Sequence, residues 1–273
     1  MSSSNKPHIL FFSLCIAVAF GIASCQVIPE NEQLIPVETL ETERTSLLID
    51  FSAVSCVNCP KASEEAHNLL SQYKDQLVVI EAHPATNPLT YSPIYDYTCP
   101  AADSLYIACG GNSTSPLPTG VINMRKQSDG NYMTPFLSWG AAIYSANNDT
   151  TIIPIAIDLT FSEKQEILLS IRNLNESTLH TTAYMWLTED SIVGAQLMPD
   201  NSVNMEYVRN HLLRDNILPN SGKTLTIEPH DRQTITIPYT LPEKVVADHC
   251  HIVAAIMANG EVIQAAQKNW NNY

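Results

Sequence analysis

The chain has 273 residues, with 28 acidic side chains against 14 basic ones and a formal net charge of −14. That balance argues against nucleic acid or an acidic lipid surface as a partner, and simple solubility accounts for it. The length suggests about two domains and, at 45% hydrophobic residues, is ample for a sizeable core.

Residues 1–24 read as a leader outside the fold. Lys6 and His8 make a short polar start, and Ile9 to Gly21 form an apolar run too short to span a membrane. Ile22-Ala23-Ser24-Cys25 then looks like a bacterial lipobox, in which Cys25 becomes the lipidated first residue of the mature protein. The alternative is an ordinary signal peptide with an incidental cysteine. Acyl chains on Cys25 would tether the protein to a membrane without spanning it. Residues 25–45 are polar and acidic, with Pro29 and Pro36, and read as a tether with one edge strand near Leu34–Val37.

Ser46–Phe51 is the first core strand, and it runs into Cys56-Val57-Asn58-Cys59. After the cysteines, Ala62, Ala66, Leu69, Leu70 and Tyr73 recur at helical spacing, Pro60 suits the first turn, and Glu64 and Glu65 complement its positive end. Leu77–Ala82 is a second apolar strand, which makes a parallel strand–helix–strand unit. The long connection from His83 to Pro118 is expected to carry a helix around Ala101–Cys109. A third strand begins at Pro118–Asn123, Lys126–Tyr132 is a turn, and Phe136–Asn147 reads as a closing helix. Residues 46–148 thus form a compact α/β domain.

From Thr151 the pattern becomes strict alternation: Ile153, Ile155, Ile157, Leu159 and Phe161, then Ile167, Leu169 and Ile171, later Ile235, Ile237 and Tyr239. Further strands are expected at Thr182–Thr188, Ile252–Ala258 and Val262–Ala266, with a turn at Asn259-Gly260. Glu206–Ile217 breaks the rhythm and reads as a short helix or loop. Short alternating strands without a helical pattern make residues 149–273 an all-β, immunoglobulin-like sandwich.

Two thiols separated by two residues, where a strand hands over to a helix, form a redox geometry. A helix N-terminus favours the Cys56 thiolate, and Cys59, one turn away, can displace a mixed disulfide formed on Cys56. Cys56–Cys59 is one disulfide by spacing, and Cys99–Cys109 is the second pair expected in an oxidising compartment. Cys250 is left as a buried, inert thiol. His83 is a candidate to tune a thiolate or bind metal, against the bland reading of a surface-loop histidine. Cys56, Cys59 and His83 lack the further close-spaced pair that a structural zinc site needs, so no metal or cofactor is expected. No H-E-x-x-H, G-x-S-x-G or Gly-rich phosphate loop occurs in the sequence.

Ile49-Asp50-Phe51, Ala53, Cys56-x-x-Cys59 and Lys61 resemble the active-site strand and loop of thioredoxin-like proteins. The resemblance implies that Asp50 is the buried acid assisting proton transfer at the resolving Cys59. It also implies that Leu117-Pro118-Thr119 is the cis-proline motif shaping the substrate groove. A carboxylate inside an apolar strand is expensive to bury, which calls for a reason; local capping or pairing is the other account of Asp50. Ser52 and Ser55 stand where the two thioredoxin tryptophans would be, Val57-Asn58 replaces Gly-Pro, and Pro60 follows the second cysteine directly. The redox direction therefore does not carry over.

A wider resemblance covers nearly the whole mature chain. Lipobox, acidic tether, Cys56-Val57-Asn58-Cys59-Pro60, Pro118–Asn123 and the β-sandwich tail are similar to the twenty-eight-kilodalton outer-membrane protein family of Bacteroidetes-type lipoproteins. Leu187-Thr188-Glu189-Asp190, the cluster Tyr207, Asn210, His211 and Arg214, and Val262–Ala266 fit the same pattern. The resemblance implies an outer-membrane lipoprotein anchored through Cys25, without supplying an activity. Two readings of function stand. One is thiol–disulfide exchange with protein thiols or disulfides in the cell envelope, with Cys56 as nucleophile, Cys59 resolving, Asp50 shuttling the proton and Pro118 shaping the site. The other is a redox-inactive adhesion lipoprotein that binds surface ligands, with Cys56–Cys59 as a permanent staple.

Overall fold

The computed structural model describes residues 43–271 apart from 93 and 153. The leader, Cys25, Ile153, the strand expected near Leu34–Val37 and nearly all of the 25–45 tether lie outside the described residues. The architecture is β-rich with few helices. Its first part contains β1 (Ser46–Phe51), α1 (Cys59–Tyr73), β2 (Leu77–Ala82), α2 (Pro100–Ala108), β3 (Thr119–Ile122) and α3 (Trp139–Asn147).

β1 pairs with β2 in parallel and with β3 antiparallel, and every residue of β1 and β2 is buried. The reason is the two-residue side-chain period of a strand with cover on both faces. Leu47, Ile49 and Phe51 join Val78 and Ile80 on one face, packed against Ala102, Leu105 and Tyr106 of α2. Leu48 and Val79 point the other way, against Ala62, Ala66 and Leu69 of α1 and Trp139 and Ile143 of α3. Each fully buried aliphatic side chain contributes about 1.5–3 kcal/mol. Gly120 in β3 lets Trp139 approach: a Cβ there would lie 2.3 Å from the indole nitrogen.

The second part adds β4 (Ile155–Phe161), β5 (Ile167–Asn173), β6 (Leu179–Glu189), β7 (Ile192–Leu197), β8 (Val203–Arg209), β9 (Leu212–Asn216), β10 (Lys223–Ile227), β11 (Arg232–Ile237), β12 (Cys250–Ala258) and β13 (Glu261–Asn269). One sheet runs β13-β12-β6-β9-β2-β1-β3, with β10 also on β6; β11-β5-β4 form a second sheet and β7-β8 a two-stranded ribbon. Strands from both parts of the chain thus share one sheet, joined where Glu81 of β2 meets Leu212 of β9. Ile252, Ala254 and Ile256 of β12 face the three-stranded sheet in one apolar cluster, while Val253 and Ala255 face the cluster that contains Leu47 and Ile49. Asn259 and Gly260 both take positive φ between β12 and β13, a tight turn their residue types favour.

Two expectations are corrected. Glu206–Ile217 is neither helix nor loop: it holds the end of β8 and all of β9. Its rhythm is hidden because β8 exposes most of both faces, including Val203 and Met205. Cys99 and Cys109 are not bridged; both are free thiols. They stand at the two caps of α2, ten residues apart, which at the α-helical rise is about 15 Å. A disulfide needs Cα atoms about 4.4–6.8 Å apart. Cys99 donates its thiol to the Leu213 carbonyl at 3.4 Å, and burial pushes the Cys109 thiol up to about 12.

Candidate functional site

β1 delivers the chain to the cysteine loop, and parallel pairing ends where Ser52 N–H donates to Ala82 O at 3.0 Å. The loop then closes on itself: Cys56 N–H donates to Ala53 O and Cys59 N–H to Cys56 O. Pro60 occupies the first turn of α1, where a missing N–H costs nothing. Cys56 and Cys59 are joined as a disulfide with Cα atoms 5.4 Å apart. Both are buried, at 3% and 1% exposure, in a small cluster with Ala53 and Leu117. The Leu117–Pro118 bond is cis, so Pro118 adjoins the residue packed on the disulfide. Ser55, in one of the tryptophan positions, is exposed, whereas Ser52 is buried.

Asp50 lies on the α1 face of β1, beside Glu81 of β2 in register. It is 1% exposed, and its Oδ1 has no hydrogen-bond partner among the described residues. Burial first, and the neighbouring Glu81 charge second, push its carboxyl well above the usual carboxylate range. A cleft of about 520 Å³ reaches this pair of acids. Pro60, Lys61 and His67 of α1 line one side of it, and Met198, Tyr207 and His211 line the other.

Glu81 is held in turn. His83 Nε2 lies 2.7 Å from its Oε1, and Arg209 Nε lies 3.9 Å from the same oxygen. His83 is buried, edge-on to Tyr97, and committed to Glu81. Among the described residues there is no group of three or more His, Cys, Asp or Glu placed to hold a metal ion. The rest of the Tyr207–Arg214 cluster is divided. Tyr207 and His211 line the cleft, His211 N–H donates to Asp190 at 2.6 Å, Asn210 accepts from Ser191 N–H, and Arg214 pairs with Glu189 at 3.2 Å. Burial lowers the His211 imidazole, against the opposing pull of Asp190.

The sequence reading missed Glu81, Gln196 and Arg209. Glu81 carried the same signal as Asp50, a lone carboxylate in the apolar strand Leu77–Ala82. Gln196 and Arg209 carried none, because their partners lie far away in the chain.

A β-rich protein with a buried C-x-x-C disulfide at a strand-to-helix junction, set beside a buried carboxyl pair, is the class that fold and site define. Residues 111–272 match the family model of outer membrane protein Omp28, and the chain belongs to that family. The family places it at the outer membrane. Among the described residues no helix is long and apolar enough to cross a membrane, which says nothing of a β-barrel. No curated protein matches the sequence.

Among solved structures, the chain is similar to HBP35 of Porphyromonas gingivalis, at 16% identity over 84% of this chain and 76% of that one, with a TM-score of 0.63. It is also similar to a structural-genomics target from Agrobacterium tumefaciens, at 13% identity over 84% of this chain and 95% of that one, with a TM-score of 0.52. At such identities the likeness speaks of fold alone. A domain of the outer membrane lipoprotein Omp28 from Porphyromonas gingivalis matches at 19% identity over 41% of this chain and 83% of its own, with a TM-score of 0.24, too low to bear on the fold.

Proposed function

We propose that this Omp28-family protein exchanges disulfides with protein thiols in the cell envelope, through Cys56 and Cys59. In this reading residues 46–148 form a thioredoxin-like domain, residues 149–273 an immunoglobulin-like sandwich, and Cys25 carries the lipid anchor. A thiolate of a substrate dithiol attacks Cys56 Sγ, the Cys56–Cys59 bond breaks, and Cys59 leaves as a thiolate that takes the proton of Asp50. The second substrate thiolate then attacks the mixed disulfide and releases Cys56, which is protonated from solvent. Two electrons pass from the substrate dithiol to the cysteine pair, and Asp50 regains its proton through the cleft. Pro118 shapes the substrate side of the site.

The observation that carries this reading is Asp50, an acid on the strand that feeds the cysteine loop, fully buried, raised well above the ordinary carboxyl range by that burial, and with no hydrogen-bond partner at Oδ1 among the described residues. The test is reduction of the full chain by dithiothreitol, followed by alkylation and peptide mass spectrometry. A potential of about −120 to −270 mV, with exchange lost in Cys56→Ser, is the expected result.

Burial of both sulfurs supports a second reading, in which the bridge is a permanent staple and the protein binds surface ligands. A potential below about −300 mV would decide for it.

A further inference from the structure

The β7–β8 ribbon does more than cover the cysteine loop. Leu197 N–H donates to Val54 O at 2.9 Å, which fastens the ribbon's backbone to the loop. Gln196, 2% exposed, donates Nε2 to the carbonyls of Ala53 at 3.3 Å and Cys56 at 3.1 Å. Its Oε1 accepts from Arg209 Nη2 at 2.5 Å, and the same Nη2 reaches Ala195 O. Arg209, 1% exposed, stacks over Tyr97 with its guanidinium carbon 4.2 Å from the ring centre, and its Nε faces Glu81. Polar groups therefore lead from the Cys56 carbonyl by hydrogen bonds to Gln196 and Arg209, then across a 3.9 Å ion pair to Glu81, which lies beside Asp50 in register. Sealing a glutamine and a guanidinium in an interior is costly unless each is held by partners. Apart from the Tyr97 ring, these partners belong to the cysteine loop, the ribbon or the carboxyl pair.

We propose that Gln196 and Arg209 are positioning residues for the Cys56–Cys59 pair, Gln196 by fixing the loop carbonyls and Arg209 by balancing the charge of Glu81 beside Asp50. The consequence for exchange rests on the function proposed above; the network itself does not. The charges give the proposal opposite signs to test. Replacing Glu81 by Gln leaves the guanidinium unopposed, so thiolate and ionised Asp50 gain and the reduced pair is favoured. Replacing Arg209 by Gln removes the guanidinium from beside Glu81 and leaves His83 there, so negative charge beside Asp50 gains and the reduced pair is disfavoured.

The experiment is equilibration of the full chain and its variants in graded glutathione buffers at neutral pH, with the Cys56–Cys59 peptide quantified by mass spectrometry. Glu81→Gln is expected to raise the equilibrium constant for reduction about tenfold, roughly 30 mV, and Arg209→Gln to lower it by a similar factor. Gln196→Met keeps the charges and frees the loop, so dithiothreitol should reduce the pair severalfold faster while its potential holds. A thermal melt checks folding; if Arg209→Gln does not fold, the near-isosteric Glu81→Gln and Gln196→Met decide the matter. Shifts of one sign in both charge variants, or no shift beyond about threefold in either, would overturn the proposal. The wild-type potential separately decides between exchange and staple, so the two ideas fail on different readouts.

Discussion

Leu169, Ile171, Ile252 and Ile256 lie sealed between the three-stranded sheet and the wide one, in a cluster of apolar side chains. Asp50, Glu81, His83 and Arg209 are sealed almost as completely beneath α1 and the ribbon, yet all four are titratable or charged. The first region gains free energy from burial alone. The second must offset desolvation with ion pairs, hydrogen bonds and ring stacking, and Asp50 Oδ1 has no hydrogen-bond partner among the described residues. The lesson is that this protein's stability and its chemistry reside in different interiors. They should respond to different perturbations.

The widest separation should come from Leu169→Ala, which removes a fully buried side chain and should destabilise by about 2–5 kcal/mol in denaturant titration. The Cys56–Cys59 potential should not move with it; a shift there would mean that the two interiors are coupled. Replacing Cys56 and Cys59 together by Ser opens a closed loop of only a few residues. About 2 kcal/mol of stability should go with it, and all exchange with dithiothreitol.

Asp50→Asn sharpens the comparison through its sign. The folded carboxyl titrates above its unfolded value, so between the two the folded state holds a proton that the unfolded chain has lost. Wild-type stability therefore falls as pH rises through that window, by up to about 1.4 kcal/mol per unit, starting near the ordinary aspartate range. Asn does not titrate, so the variant should be the more stable protein at neutral pH, and its advantage should vanish in acid. Urea melts across pH measure this, and a variant less stable at every pH would show that the Asp50 charge is not the burden described.

The smallest effect is expected on the ribbon's outer face: Val193→Ser, at an exposed position, should change stability by no more than about 0.5 kcal/mol and leave exchange intact. The free thiols offer a check on the α2 caps. Iodoacetamide should label Cys109 only on unfolding, since its thiol titrates near 12, and a Cys99–Cys109 cross-linked peptide should be absent.

What could be read along the chain was whatever repeats locally. The two-residue period of Leu47 to Phe51, the helical spacing of Ala62, Ala66 and Leu69, and the Asn259-Gly260 turn all express a residue's relation to its near neighbours, and they placed β1, α1 and the β12–β13 hairpin. Asp50 was legible for the same reason, as a charge out of place in an apolar run. β8 was not, because exposure on both faces erases the alternation that announces a strand; β9 was not, because its buried residues are the adjacent Leu212 and Leu213 rather than alternate ones. The Cys99–Cys109 pairing failed because cysteine spacing says nothing about a helix held rigid between them.

The sequence by itself thus determined the strand–helix–strand unit, the paired cysteines at its turn, the buried acid before them and the family to which the chain belongs. Only the tertiary structure decided that one sheet joins the two parts of the chain, that a ribbon from the second part hydrogen-bonds to the cysteine loop of the first, and that Gln196 and Arg209 lead from that loop to Glu81, beside Asp50. Backbone sterics and hydrophobic periodicity act between neighbours and leave a trace in the order of residues. A hydrogen bond between Gln196 and Cys56, or an ion pair between Arg209 and Glu81, depends on where distant segments meet, and no local pattern records it.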